Sequence, residues 1–134
     1  MYLSLLKENE KQMFIELAYN LVNIDGDFSQ EEKNMILGYC LEANCTIDEK
    51  KKIRSINKLT DEIISTSNKV SKQIIIFELV GLAMTDGKFD HLERITLNKL
   101  SEAFNMKPEF LTDCEKEVAK YIDFQTNLNK LVLG

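Results

Sequence analysis

The chain has no tryptophan, one proline, five glycines, three cysteines and one histidine among its 134 residues. Proteins built from many short strands use proline and glycine in their turns, so the scarcity of both argues against an all-β fold. Three cysteines cannot all pair and form no Cys-x-x-Cys motif, which predicts buried thiols in a reducing compartment. A single histidine gives little support to a zinc site or to histidine-dependent nucleophilic catalysis.

Long apolar runs are also missing. The longest covers 74–84 and contains Glu78, whereas a helix that crosses a bilayer needs about 20 apolar residues. The first residues do not form a signal peptide, because Glu8 follows too soon after the start. These features predict a cytoplasmic protein that does not span a membrane, and they leave a membrane-associated partner open.

Charge is unevenly distributed along the chain. The net charge of −5 disfavours binding to a phosphate backbone, so nucleic acid is not expected as a partner. Only 46–72 is basic, with seven basic and four acidic residues. The run Lys50–Arg54 is typical of a solvated helix face. An acidic protein surface or an anionic lipid surface is the alternative for this run.

Helical periodicity dominates the pattern of apolar residues. Residues three and four apart are apolar from Lys7 to Ile24 and in later segments, which predicts an all-α single domain of about seven helices over 1–134. The segment 71–84 is apolar on nearly every side and should be a central helix, with Gly81 admitting a close neighbouring helix. Its counterpart near the amino terminus is only amphipathic and should be more peripheral. Pro108 should open a helix ending near Tyr121, followed by a short amphipathic tail.

A nine-residue pattern occurs twice, 61 residues apart. Asp-Gly-Asp-Phe-Ser-Gln-Glu-Glu-Lys at 25–33 matches Asp-Gly-Lys-Phe-Asp-His-Leu-Glu-Arg at 86–94, with Asp, Gly, Phe and Glu identical. Each copy lies between two predicted helices, which indicates a duplicated helix–DG-turn–helix unit with pseudo-twofold symmetry. The predicted division is repeat A at about 8–43, a connector at about 46–70, repeat B at about 71–104 and C-terminal helices at about 108–132.

The two D-G-x5-E motifs, set between helices in an acidic domain, resemble the tellurite-resistance TerB-like family. They also resemble the N-terminal part of a membrane-anchored DnaJ-type co-chaperone. The resemblance covers roughly 8–120. It implies an all-helical fold with pseudo-twofold symmetry and a role in a stress response around tellurite, phage or colicin resistance. It also implies divalent-metal involvement and, carried over by position, an acidic motif at Asp25, Glu32, Asp86 and Glu93.

The first turn places oxygens at Asp25, Asp27 and Ser29, the spacing of the first calcium ligands in an EF-hand. Gln30 and Ile36 stand where that loop needs glycine and a bidentate glutamate, so it is not an EF-hand. Two interpretations remain: helix capping alone, or capping together with a weak site for Ca²⁺, Mg²⁺ or Mn²⁺. The candidate ligands share short oxygen-bearing side chains at these turns: Asp25, Asp27, Ser29, Glu32, Asp86, Asp90 and Glu93.

The sequence therefore predicts a non-enzymatic interaction or scaffold module of a tellurite-type stress response, with a protein partner. Two alternatives stay open. One is an enzyme with a carboxylate-ligated metal, which needs at least three converging acidic ligands and an open coordination position. The other is a purely structural, protein-binding bundle.

Overall fold

The computed structural model describes residues 1–24, 29–44, 52–85 and 89–134. Every regular element in these ranges is helical, which confirms the all-α fold class for the described chain. In chain order the elements are a 3₁₀ turn (Leu3–Leu5), α1 (Glu8–Val22), α2 (Gln30–Ala43), α3 (Ile56–Thr66), α4 (Lys69–Ala83), α5 (His91–Ala103) and α6 (Pro108–Leu133).

The described ranges thus hold six α-helices, where the sequence predicted about seven. At the carboxyl end, the predicted helix and tail form one continuous helix of 26 residues, because neither proline nor glycine interrupts it before Gly134. In the connector, residues 52–55 are not helical, and the Ser55 hydroxyl caps α3 by accepting from the Lys58 N–H at 3.3 Å. The connector residues Thr46-Ile47-Asp48-Glu49 have the pattern of a capping box and predict a short helix through about Asn57, but 45–51 lie outside the described residues.

Helices α1 and α4 form the centre of the protein. They pack on each other; α2 and α3 also pack on α1, and α6 also packs on α4. The expected burial of α4 is confirmed, since Ile75, Leu79, Leu82 and Ala83 are each at most 2% exposed. No described helix has the length and apolarity needed to cross a bilayer.

The prediction that the first helix is more peripheral than α4 is wrong. Nine residues of α1 are buried, as many as in α4. Two of its polar side chains, the carboxylates of Glu10 and Glu16, are buried rather than solvated. Glu10 accepts hydrogen bonds from the Lys7 N–H at 2.8 Å and the Ser71 hydroxyl at 3.1 Å. A buried carboxylate is tolerated when donors surround it, so α1 is central despite its polar residues.

Glu16 is held by Arg54 in the segment before α3. The Arg54 guanidinium donates to Glu16 at 2.7 and 3.2 Å, and its backbone N–H donates to Glu16 Oε1 at 3.0 Å. A second carboxylate, Glu62 of α3, also contacts this guanidinium. Burial raises the pKa of Glu16, but hydrogen bonds from Arg54 outweigh burial and hold that pKa below its usual value. Arg54 therefore links α1 and α3 through its ion pairs with Glu16 and Glu62.

Candidate functional site

The predicted metal site falls partly outside the described residues. Asp25, Asp27 and Asp86 lie there. So do Gly26 and Gly87, for which the end of a helix just before a new cap predicts left-handed backbone conformations. The four remaining candidates are at the starts of α2 and α5 and can be examined for capping and for convergence: Ser29, Glu32, Asp90 and Glu93.

Serine and aspartate are favoured helix caps, so the sequence predicts caps at Ser29 and Asp90, and both are present. The Ser29 hydroxyl accepts from the Glu32 N–H at 3.1 Å, and the Glu32 carboxylate accepts from the Ser29 N–H at 3.0 Å, a reciprocal capping box. At the start of α5, Asp90 accepts from the Leu92 and Glu93 N–H groups at 3.1 and 3.4 Å. Helix capping therefore explains the side-chain hydrogen bonds of Ser29, Glu32 and Asp90.

Across the described parts of the chain, no three His, Cys, Asp or Glu side chains are grouped so that they could hold a metal ion. Glu93 is 7% exposed and lies beside a cap rather than in an acidic cluster. A cation site at the DG turns remains a prediction, and it would depend mainly on Asp25, Asp27 and Asp86.

The two thiols in the described ranges, Cys40 and Cys114, are not exposed for nucleophilic chemistry. Cys40 and Cys114 are buried, as the sequence predicted, and Cys45 lies outside the described residues. Burial raises the pKa of Cys114 to about 11, which keeps the thiol protonated at neutral pH. His91 is exposed in the first turn of α5.

The basic run is also not a simple solvated face. Arg54 is occupied by Glu16 and Glu62, so the prediction of a solvated run is wrong for this residue. Lys52 and Lys58 are exposed, and Lys50 and Lys51 lie outside the described residues.

A groove of about 500 Å³ is a stronger candidate for a binding site. One wall is α2, with Met35 and Tyr39, and the other is α6, with Val118 and Ile122. Phe77 of α4 contributes to its lining. The volume is within the range of ligand pockets, and the lining is largely apolar, as is typical of recognition sites.

Gly81 of α4 keeps the groove open. A Cβ atom built on Gly81 would meet only the Tyr39 hydroxyl within 4 Å among the described residues, at 3.8 Å. The prediction of a close neighbouring helix at Gly81 is therefore wrong. A glycine inside a helix costs about 1 kcal/mol relative to alanine. Neither close packing nor a left-handed conformation requires this glycine, and its effect is to leave space in the groove.

The groove also has an acidic part. Glu78 is 5% exposed, and Glu42 lies beside it on α2. Both carboxylates contact the ammonium of Met1, at 3.1 Å from Glu78 and 2.6 Å from Glu42. The Tyr39 hydroxyl donates to the Glu78 carbonyl oxygen at 3.1 Å, which ties α2 to α4. Burial raises the pKa of Tyr39, and the charges of Glu78 and Glu42 add to the shift. Tyr39 therefore stays neutral.

Past Ile122, α6 has no buried residue. We call 123–133 the arm. Its apolar side chains Phe124, Leu131 and Val132 are 61%, 81% and 73% exposed. A helical segment with this much exposed apolar surface marks an interaction site more often than a solvated end.

Comparisons of the chain with protein-family models, with curated proteins and with solved structures found no match. The resemblance of the DG motifs to the TerB-like family therefore stays a prediction.

Part of the groove and of the arm was visible in the sequence. The amphipathic spacing of Leu128, Leu131 and Val132 was visible, as was a glycine inside the most apolar helix. Neither signal indicates whether a face is covered, because that depends on where α2 and α6 lie relative to α4. Glu42 and Glu78 lie 36 positions apart in different helices, and no local motif connects them.

Proposed function

We propose that this chain is a non-enzymatic interaction module that binds an amphipathic helix in the groove between α2 and α6. The observation that carries the proposal is the groove itself, which is bounded by two helices and kept open at Gly81. Grooves of this type receive the apolar face of a helix through side chains spaced three and four residues apart. The apolar side chains Met35, Phe77 and Val118 supply the matching surface.

The acidic part of the groove adds a preference for charge. Glu78 and Glu42 lie together at one place in a mostly apolar lining, and they contact the Met1 ammonium group. A bound helix whose lysine or arginine takes the place of the Met1 ammonium would be favoured there, and a helix with an acidic residue at that point would be rejected.

The duplicated unit and the stress-response role are part of the same proposal. Helix α4 begins and ends 61 positions after α1, and the cap residue Asp90 follows Ser29 by the same 61. Glu10 and Ser71, also 61 apart, are in direct contact, as equivalent residues near a twofold axis would be. These relations support the duplication. The tellurite-type role rests on the sequence resemblance.

A selection experiment tests the groove. A displayed library of helical peptides is selected on the wild-type protein and counter-selected on Gly81→Met. The methionine side chain should fill the groove and should not unfold the protein, because its Cβ has room and methionine favours helix more than glycine. Asn98→Met, on the exposed side of α5, is the matched control.

We expect enrichment of peptides with apolar residues at i, i+4 and i+7 and a basic residue beside them. Their binding should weaken by at least about 10-fold in Gly81→Met and stay unchanged in Asn98→Met. Peptides that bind both variants equally well, or no enrichment over the counter-selection, would refute the groove as a helix receptor.

A further inference from the structure

We infer that the helix held in this groove in the isolated protein is the arm of a second copy of the same chain, so that two chains exchange arms in a twofold dimer. The inference rests on the proposed function and adds to it the identity of one occupant. The dimer would cover the groove, and any other helix would then have to displace the arm before binding.

The first argument is the amount of apolar surface that the arm leaves uncovered. Six apolar side chains at and beyond the groove wall are between 41% and 81% exposed: Tyr121, Phe124, Leu128, Leu131, Val132 and Leu133. At about 150–250 Å² for a large side chain, they expose roughly 700 Å² per copy. Stable interfaces bury about 800 Å² on each partner, and the groove lining supplies the remainder.

The second argument is that the groove wall and the arm are continuous parts of the same helix, α6. Tyr121 and Gln125 line the groove, and Phe124 and Leu128 continue the same helix outward. An isologous interface requires one surface patch that contains both complementary parts. Here the receiving wall and the inserted arm belong to one helix, so a twofold operation brings both into contact at once.

The third argument is the match between arm and wall. When two copies of α6 run antiparallel with the axis at Gln125, Leu128 lies opposite Ile122, and Val132 lies opposite Val118. Two of the exposed arm residues, Leu128 and Val132, thus meet groove residues of the other chain. The arm cannot enter the groove of its own chain, because α6 is unbroken from Pro108 to Leu133 and the same helix forms the wall.

The arm itself carries little charge. Within 121–134 the chain has only one acidic and one basic side chain, Asp123 and Lys130. In the register with its axis at Gln125, Lys130 lies opposite Lys120 of the other chain, so each end of the contact holds one pair of like charges beside its apolar residues.

Sedimentation equilibrium over a range of concentrations tests the inference. The wild-type chain of 15.5 kDa should give a mass of about 31 kDa at high concentration, twice the single-chain value. An arm variant, Leu131→Glu with Val132→Glu, should raise the dimer dissociation constant at least about 10-fold. These residues are strongly exposed, so folding should be unaffected. Leu41→Glu on α2 is the matched control, because Leu41 is 84% exposed and does not line the groove.

Mixing two defective variants gives the sharpest test. The arm variant keeps an intact groove, and Gly81→Met keeps an intact arm. Neither should dimerise alone, but an equimolar mixture should form a heterodimer with one intact arm–groove contact. Gly81→Met that dimerises like wild type, or a mixture that stays monomeric, would overturn the arm exchange.

A wild-type chain that stays monomeric at millimolar concentration would also overturn this inference. The proposed function would survive that result if the peptide selection still gave helices that depend on Gly81. A dimer together with a failed selection would show that the groove accepts only its own arm and would refute the broader proposal. The two failures are therefore distinguishable.

Discussion

Replacing Arg54 with methionine should destabilise the protein by about 2–3 kcal/mol at pH 7. Methionine keeps most of the length and volume of the side chain but removes the charged donors of Glu16, whose side chain is 9% exposed. Removing one partner of a fully buried ion pair costs about 3–5 kcal/mol. Arg54 is 28% exposed, and water can partly replace it, so a smaller cost is expected.

The pH dependence separates this mechanism from a simple loss of packing. In the wild type the lowered pKa of Glu16 stabilises the fold above the unfolded value of 4.5, and this contribution is lost as pH falls through the folded pKa. In Arg54→Met burial is no longer opposed by the guanidinium, so the pKa of Glu16 should rise above 4.5. The variant's deficit relative to wild type should therefore be greatest near pH 7 and shrink toward pH 4.

Urea unfolding followed by circular dichroism at several pH values measures the effect. Lys58→Met, an exposed cation on α3, is the control and should change stability by less than about 0.5 kcal/mol. A double-mutant cycle with Glu16→Gln should give a coupling of at least about 1 kcal/mol. A deficit that does not change with pH, or a coupling near zero, would refute the assigned role of the pair.

Three further outcomes follow from packing, capping and the DG turns. Leu79→Ala should lower the free energy of unfolding by about 2–5 kcal/mol in denaturant titrations, because removing a fully buried leucine side chain leaves a cavity. Leu5→Ala should lower it much less, because Leu5 is 70% exposed, and equal losses would contradict the assigned core. Ser29→Ala should lower the free energy of unfolding by about 1 kcal/mol in the same assay. An unchanged denaturant midpoint would show that the capping box contributes nothing to stability. If the turns bind a cation, millimolar Ca²⁺, Mg²⁺ or Mn²⁺ should raise the melting temperature and Asp27→Ala should abolish the rise; no thermal shift in the wild type would end the metal hypothesis.

The sequence was informative wherever a local pattern determines the structure. The Ser29 capping box and the burial of Leu79 and Leu82 depend on residues within one or two turns of each other, and both are confirmed. The start of α4 was placed near Ser71, but Asn68 caps the helix by accepting from the Ser71 N–H at 2.9 Å. Several residues of this segment are suitable caps, so spacing alone does not select one.

Long-range pairing was not readable from the pattern. A glutamate in an amphipathic helix is expected to be exposed, because carboxylates usually are, but Glu16 is buried through its pairing with Arg54, which is 38 positions away. Gly81 was interpreted as a contact between helices for a similar reason. A small residue in an apolar helix indicates either a closely packed neighbour or an open space beside it. Only the arrangement of α2 and α6 shows that Gly81 borders an open groove.

The pairing of α1 with α4 also has a consequence for how the chain folds. These helices are the centre of the structure, yet they are separated by 61 positions, with α2 and α3 between them. Helical proteins whose neighbours in space are neighbours in sequence fold fastest, and distant central contacts slow folding because a long loop must close first. At a synthesis rate of about 5–20 residues per second, α4 is made several seconds after α1. Until then the face of α1 that packs on α4 has no partner helix. Over that interval this face of α1 is open to any chaperone, or to any neighbouring chain, that binds it first.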